Sequence, residues 1–161
     1  MRLSTTARLL IAIVIVAWIG ILALLIGSRM GTGAETRFTN SGALEQAVSS
    51  AEANGQAITG VVPADVYGEE WIAAAVICPF ESEQGIAQTY DVDASELKLG
   101  GSGVPEDTNY LLLRSADGGH AFDRMDRADI DLCTVPIGQY IDSRAMLPLG
   151  EMEHGGWALL N

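Results

Sequence analysis

Apolar residues are unevenly distributed along this chain, and the longest uninterrupted apolar stretch lies near its start. Residues 9–28, LLIAIVIVAWIGILALLIGS, are apolar or small throughout and are bracketed by Arg8 and Arg29. Twenty helical residues extend about 30 Å, the thickness of a hydrocarbon core, so this stretch reads as a single bilayer crossing. It exceeds the roughly 7–15 apolar residues of a cleavable signal peptide, and Thr32-Gly33-Ala34 is a poor cleavage site, so an uncleaved anchor is expected. At 100° per residue, Ala12, Gly20, Ala23 and Gly27 fall on one narrow face. Small residues there admit a neighbouring helix, although alanine and glycine are also common in spanning helices generally.

After the crossing the pattern changes. Residues 31–41 are rich in glycine, threonine and polar residues with no apolar period, which reads as a tether. Leu44, Ala47, Val48 and Ala51 recur at helical spacing behind Asn40 or Ser41 as cap, with Asn54-Gly55 as stop. Residues 58–62 suggest a strand ended by Pro63. Residues 71–78, WIAAAVIC, form a continuous apolar run too short to span a bilayer, as expected of a strand buried on both faces. Ser82 opens a helix with Ile86, Ala87 and Tyr90 on its apolar face, and Asp93 caps a very short second one. Residues 110–114 and 120–124 read as strands joined at Asp117-Gly118-Gly119. Residues 129–133 alternate strictly, with Ile130 and Leu132 inward. The tail, residues 136–161, is broken by Pro148 and Gly155-Gly156, and its apolar end, Trp157 to Leu160, is expected to dock on the domain or on a partner.

The expected architecture is α+β: one N-terminal transmembrane helix followed by a small disulfide-bonded extracytoplasmic domain. That domain has a three- to five-stranded sheet and two or three short helices. The divisions are a cytoplasmic tail at 1–8, the span at 9–28, a tether at 29–41 and the outer domain at 42–161.

Charge sharpens this picture. From residue 30 onward there are six basic and twenty-one acidic side chains, a net of −15. Such a domain repels nucleic acid, so no nucleic-acid partner is expected. The arginines flanking the span nearly balance and do not set its orientation, whereas long domains translocate largely regardless of charge. Two cysteines, Cys78 and Cys133, fit a disulfide in an exported domain and do not fit a C-x-x-C motif or a four-ligand zinc site. The expectation is a single-pass cell-membrane protein with its N-terminus in the cytoplasm and its C-terminal domain outside.

Candidate chemistry is sparse. Asp123, Asp126, Asp129 and Asp131 are interleaved with Arg124 and Arg127, and their spacing is not that of a calcium loop, so surface ion pairing is expected over cation binding. Glu151, Glu153 and His154 form a weaker trio. The glycine-rich 100–103 segment lacks a following Gly-Lys-Ser/Thr and is no phosphate cradle. His120 and His154 lie in no recognisable catalytic motif, and both cysteines are committed to the disulfide. No catalytic residue, metal ligand or cofactor is therefore assigned.

Ile86, Ala87, Tyr90, Val92 and Leu97 are spaced as in I-A-x-x-Y-x-V-x-x-x-x-L, preceded by Pro79 and Ser82 and followed by Leu112. This pattern, over residues 77–113, resembles a LysM module. The resemblance implies a β-α-α-β unit with glycan held at two loops, here Pro79, Phe80, Glu81 and Ser82 on one side and Glu106 and Asp107 on the other. Phe80 stands where that family's turn has glycine, Glu83 where it has an apolar residue, and Asp107 where glycine is typical. The overall layout, with 104–110 reading VPEDTNY and 131–133 reading DLC, is similar to uncharacterised single-span envelope proteins of actinobacteria. That likeness implies a non-catalytic accessory subunit of a larger membrane complex, such as a respiratory-chain supercomplex. The expected partners are the lipid bilayer and an integral membrane protein or a second copy of the chain. The alternatives are a LysM-like protein that binds peptidoglycan and an envelope hydrolase.

Overall fold

A computed structural model describes residues 41–161. The apolar run at 9–28, its face formed by Ala12, Gly20, Ala23 and Gly27, and nearly all of the tether lie outside the described residues. Among the described residues no helix is long and apolar enough to cross a membrane.

The element order is α1 (Ala43–Ala53), β1 (Ile58–Val61), α2 (Pro63–Tyr67), β2 (Trp71–Ile77), α3 (Glu83–Tyr90) and a 3-10 turn (Ala94–Leu97). There follow β3 (Thr108–Ser115), β4 (His120–Asp126), β5 (Ile130–Asp131), a second 3-10 turn (Leu132–Thr134), β6 (Ile141–Asp142), β7 (Leu147–Glu151) and β8 (Trp157–Leu159). The strands make two four-stranded sheets, ordered β4-β3-β2-β6 and β1-β7-β8-β5. The mixed helix-and-sheet class is as expected, but the single sheet of three to five strands is replaced by two.

The physical reason lies in β2 and β3, which pair antiparallel with Ala75 opposite Leu112 and Ile77 opposite Tyr110. Side chains alternate across a strand, so a continuous apolar run needs cover on both faces. Ala74, Val76, Leu111 and Leu113 face one core, together with Leu44 and Val48 of α1 and Val61, Leu147, Leu149 and Leu159 of the second sheet. Ala75, Ile77, Tyr110 and Leu112 face the other, against Ile86 and Tyr90 of α3. The first sheet is thus a middle layer, with α3 on one side and the second sheet on the other.

Several local expectations are revised. Pro63 does more than end a strand: it opens α2, where its fixed φ suits the first helical turn and its missing N–H is not needed. The cap residue of α1 is Gly42 in the left-handed region (φ 63), not Ser41 or Asn40, while Ser41 Oγ accepts the Ala43 N–H at 3.1 Å from one position earlier. Within 129–133 only two residues are strand. Asp131 Oδ1 accepts the Cys133 N–H at 2.8 Å and turns the chain into a 3-10 turn, although Ile130 and Leu132 are fully buried as expected. The tail supplies β6, β7 and β8, and Trp157 and Leu159 dock into the core.

Candidate functional site

Two loops meet at the end of the β2–β3 pair. The first runs from Cys78 to Ser82. Cys78 is bonded to Cys133, with Cα atoms 5.7 Å apart across a sequence separation of 55, so the expected disulfide is present. Glu81 folds back to the start of this loop: its Oε1 accepts the Cys78 N–H at 2.8 Å, and burial pushes its carboxyl above the ordinary value. Ser82 Oγ accepts the Gly85 N–H at 3.1 Å and caps α3, as its position predicts.

The second loop runs from Gly100 to Asp107 and is clipped to the first by two backbone hydrogen bonds. The Phe80 N–H donates to Val104 O at 2.8 Å and the Val104 N–H donates to Glu81 O at 3.0 Å. Gly103 makes this approach feasible: it has φ 76, and a Cβ there would lie 2.5 Å from Glu81 O. Arg127 holds the second loop from behind. Its Nη1 donates to Glu106 O at 2.8 Å, its N–H donates to Asp107 O at 2.9 Å, and its Nη2 pairs with Asp131 Oδ2 at 2.7 Å.

This clip forces Phe80 into the left-handed region, φ 69, where a bulky L-residue pays a steric penalty. The residue is nonetheless 68% exposed. A strained backbone that presents an aromatic side chain to solvent is a feature of binding loops. The six loop residues expected to face a ligand therefore divide. Phe80 projects outward, Glu106 and Asp107 are exposed, Ser82 is engaged in capping, Glu81 turns back to the Cys78 amide, and Pro79 is half-buried. Gly103, Val104 and Arg127 were not among the expected site residues. The available signal for the last was its place among the interleaved aspartates, where ion pairing was expected.

This chain matches no protein family, no curated protein and no solved structure.

The acidic cluster separates. Asp131 pairs with Arg127, and Asp126 Oδ1 accepts the Ala128 N–H at 2.8 Å. Asp123, expected on the surface, is instead fully buried on β4. Its carboxylate accepts the Ser41 N–H and the Ser41 hydroxyl, both at 2.7 Å, and the Tyr67 hydroxyl at 2.5 Å. Charge-assisted bonds of this kind compensate a buried carboxylate, and they fasten the first described residue to the core. Burial, followed by the Asp123 carboxylate, pushes the Tyr67 hydroxyl far above its ordinary range. Among the described residues no group of three or more His, Cys, Asp or Glu side chains converges as a metal site, so Glu151, Glu153 and His154 form none.

The two histidines are apart in role. His120 Nε2 lies 3.4 Å from Glu96 Oε1 and 3.2 Å from Asp93 O, and its ring packs edge-on against Phe122. These contacts fasten the first 3-10 turn to β4. His154 is exposed in the turn between β7 and β8.

Proposed function

We propose that this chain is a membrane-anchored, non-catalytic accessory protein of the bacterial cell envelope. Its outer domain recognises a protein subunit of a larger membrane complex through the joined loops around Phe80. The observation that carries this reading is Phe80 itself, an exposed aromatic side chain held by a strained backbone and a two-bond clip. Aromatic anchors set in a rigid surround dominate recognition between proteins. The apolar run at 9–28 supplies the anchor in this reading, and a respiratory-chain supercomplex is one assembly of the expected kind.

A second reading, a LysM-like module that binds peptidoglycan, is favoured by a different observation. β2, α3, the 3-10 turn at 94–97 and β3 follow one another in β-α-α-β order, with the two strands adjacent and antiparallel. Moreover, Phe80 adopts the left-handed conformation at the position where that pattern carries glycine.

Affinity purification of the full chain in mild detergent, with Phe80→Ala beside it, separates the readings. Stoichiometric membrane subunits that disappear with the variant support the first. Sedimentation of the purified protein with insoluble peptidoglycan, lost in the variant, supports the second. If neither partner is recovered, both readings fail.

A further inference from the structure

The second sheet covers the core with one face only. Its inner face carries Val61, Leu147, Leu149 and Leu159. Its outer face carries Ile58, Met146, Pro148, Ala158 and Leu160, and the cross-strand partners Ile58 with Gly150 and Gly60 with Pro148 place these positions on one side. Ile58 is 66% exposed, Met146 63% and Leu160 38%. Gly60 and Gly150 form the floor beneath Met146 and Leu160, which lie where a Cβ would project. None of these outward positions is charged, and at the margin beside Ala158 the Asp131 carboxylate is neutralised by Arg127. An uncharged aliphatic face on a domain whose described residues include five basic and twenty acidic side chains calls for an occupant.

We infer that this face rests on the lipid bilayer, with α3 on the far side of the middle sheet. The inference rests on the anchor reading of residues 9–28. Two observations select the bilayer over other occupants. First, the chain between that run and Ser41 is twelve residues long, about 40 Å when fully extended, which keeps the domain at a membrane surface. Second, a body with net charge −15 is repelled by anionic headgroups within about a Debye length, roughly 8 Å at physiological salt, so the side that approaches closest is the one without charge. A second copy of the chain would carry the same −15 and gains nothing from this asymmetry. The middle-layer arrangement then places α3 on the opposite side of the domain.

The test uses the full chain reconstituted in phosphatidylcholine vesicles that carry a lipid-borne diazirine, with adducts located by mass spectrometry after photolysis. The expected result is at least five-fold more carbene insertion in peptides bearing Ile58, Met146 and Leu160 than in the α3 peptide. This contrast should grow when phosphatidylglycerol is added at low salt and fall in Ile58→Glu/Met146→Glu. Even labelling, or labelling centred on α3, overturns the inference while leaving the anchor reading intact, provided the protein still floats with the vesicles after carbonate washing. A chain that does not float overturns both. A face free of adducts in a chain that cross-links to itself or to another protein assigns the face to that occupant and also overturns the inference.

Discussion

Individual residues in this domain are held in costly states for identifiable reasons. Phe80 is the plainest case. A left-handed L-residue is destabilising by about 1–2 kcal/mol, and Phe80 recovers little of that through burial. Phe80→Gly is therefore expected to be neutral or to stabilise the fold by up to about 1 kcal/mol, after allowance for the greater freedom of glycine in the unfolded chain. An ordinary core Phe truncation costs about 3–5 kcal/mol. Urea denaturation of the variant distinguishes these outcomes, and a loss above 2 kcal/mol would contradict the strain account. Glu45 makes a second case. Burial, opposed by a backbone hydrogen bond and aided by Asp123 and Asp129, raises its carboxyl above the ordinary 4.5. The folded state thus holds this proton more tightly than the unfolded state, so the contribution of Glu45 to stability is full below pH 4.5 and is lost as pH rises above it. Glu45→Gln is expected to raise the denaturation midpoint at pH 7 relative to the parent and to narrow the difference at pH 4. An equal shift at both pH values would exclude this titration as the cause.

At the level of elements, the disulfide and Arg127 serve one end: they hold the two loops that present Phe80. Cys78 directly follows β2, and Cys133 lies in the turn that Asp131 caps, so the bond joins the end of a first-sheet strand to the chain leaving β5 of the second sheet. Closing a loop of this size stabilises by about 4 kcal/mol in the chain-entropy picture. Cys78→Ser/Cys133→Ser is expected to lose roughly 2–5 kcal/mol by chemical denaturation. A variant as stable as the parent would remove the bond from the account of the fold. Asn109 makes the complementary link without covalent chemistry. Its side chain donates to Ile130 O at 2.9 Å and accepts the Leu132 N–H at 3.1 Å, tying β3 to the same turn.

For the whole molecule, net charge and layering act together. Twenty carboxylates against five basic groups among residues 41–161 repel one another across a body whose core is otherwise well covered. Added salt screens that repulsion, so the midpoint of thermal unfolding is expected to rise between 10 and 500 mM sodium chloride by several degrees. A midpoint that falls with salt would mean that specific ion pairs such as Arg127 with Asp131 outweigh the global field. The same imbalance leaves the outer face of the second sheet as the uncharged approach to any surface.

Continuous apolar runs, the side-chain caps at Ser82 and Asp93, and the cysteine positions were legible from residue order alone. Residues 71–78 read as a buried strand because a strand covered on both faces needs apolar side chains at every position, and 110–114 read as a strand leading into the Asp117-Gly118-Gly119 turn. Ser82 and Asp93 announced helix starts through the side chains that cap them. The Cys78–Cys133 pairing was available because two cysteines admit one pairing. The strands at 58–61 and 130–131 were legible but their assembly into a second sheet was not, because its central strand β7 is punctuated by Pro148, which lacks a ladder N–H, and Gly150, which has no side chain to pack. Nor was the burial of Asp123, since its compensating donors, Ser41 and Tyr67, are 82 and 56 residues away in sequence. The candidate site falls between these cases. Pro79, Phe80, Glu81, Ser82, Glu106 and Asp107 were marked by local pattern, whereas the clip at Val104, the close approach at Gly103 and the brace from Arg127 required the tertiary fold. Local pattern records what each residue needs from its neighbours along the chain, and only the packed layers decide which distant residues supply it.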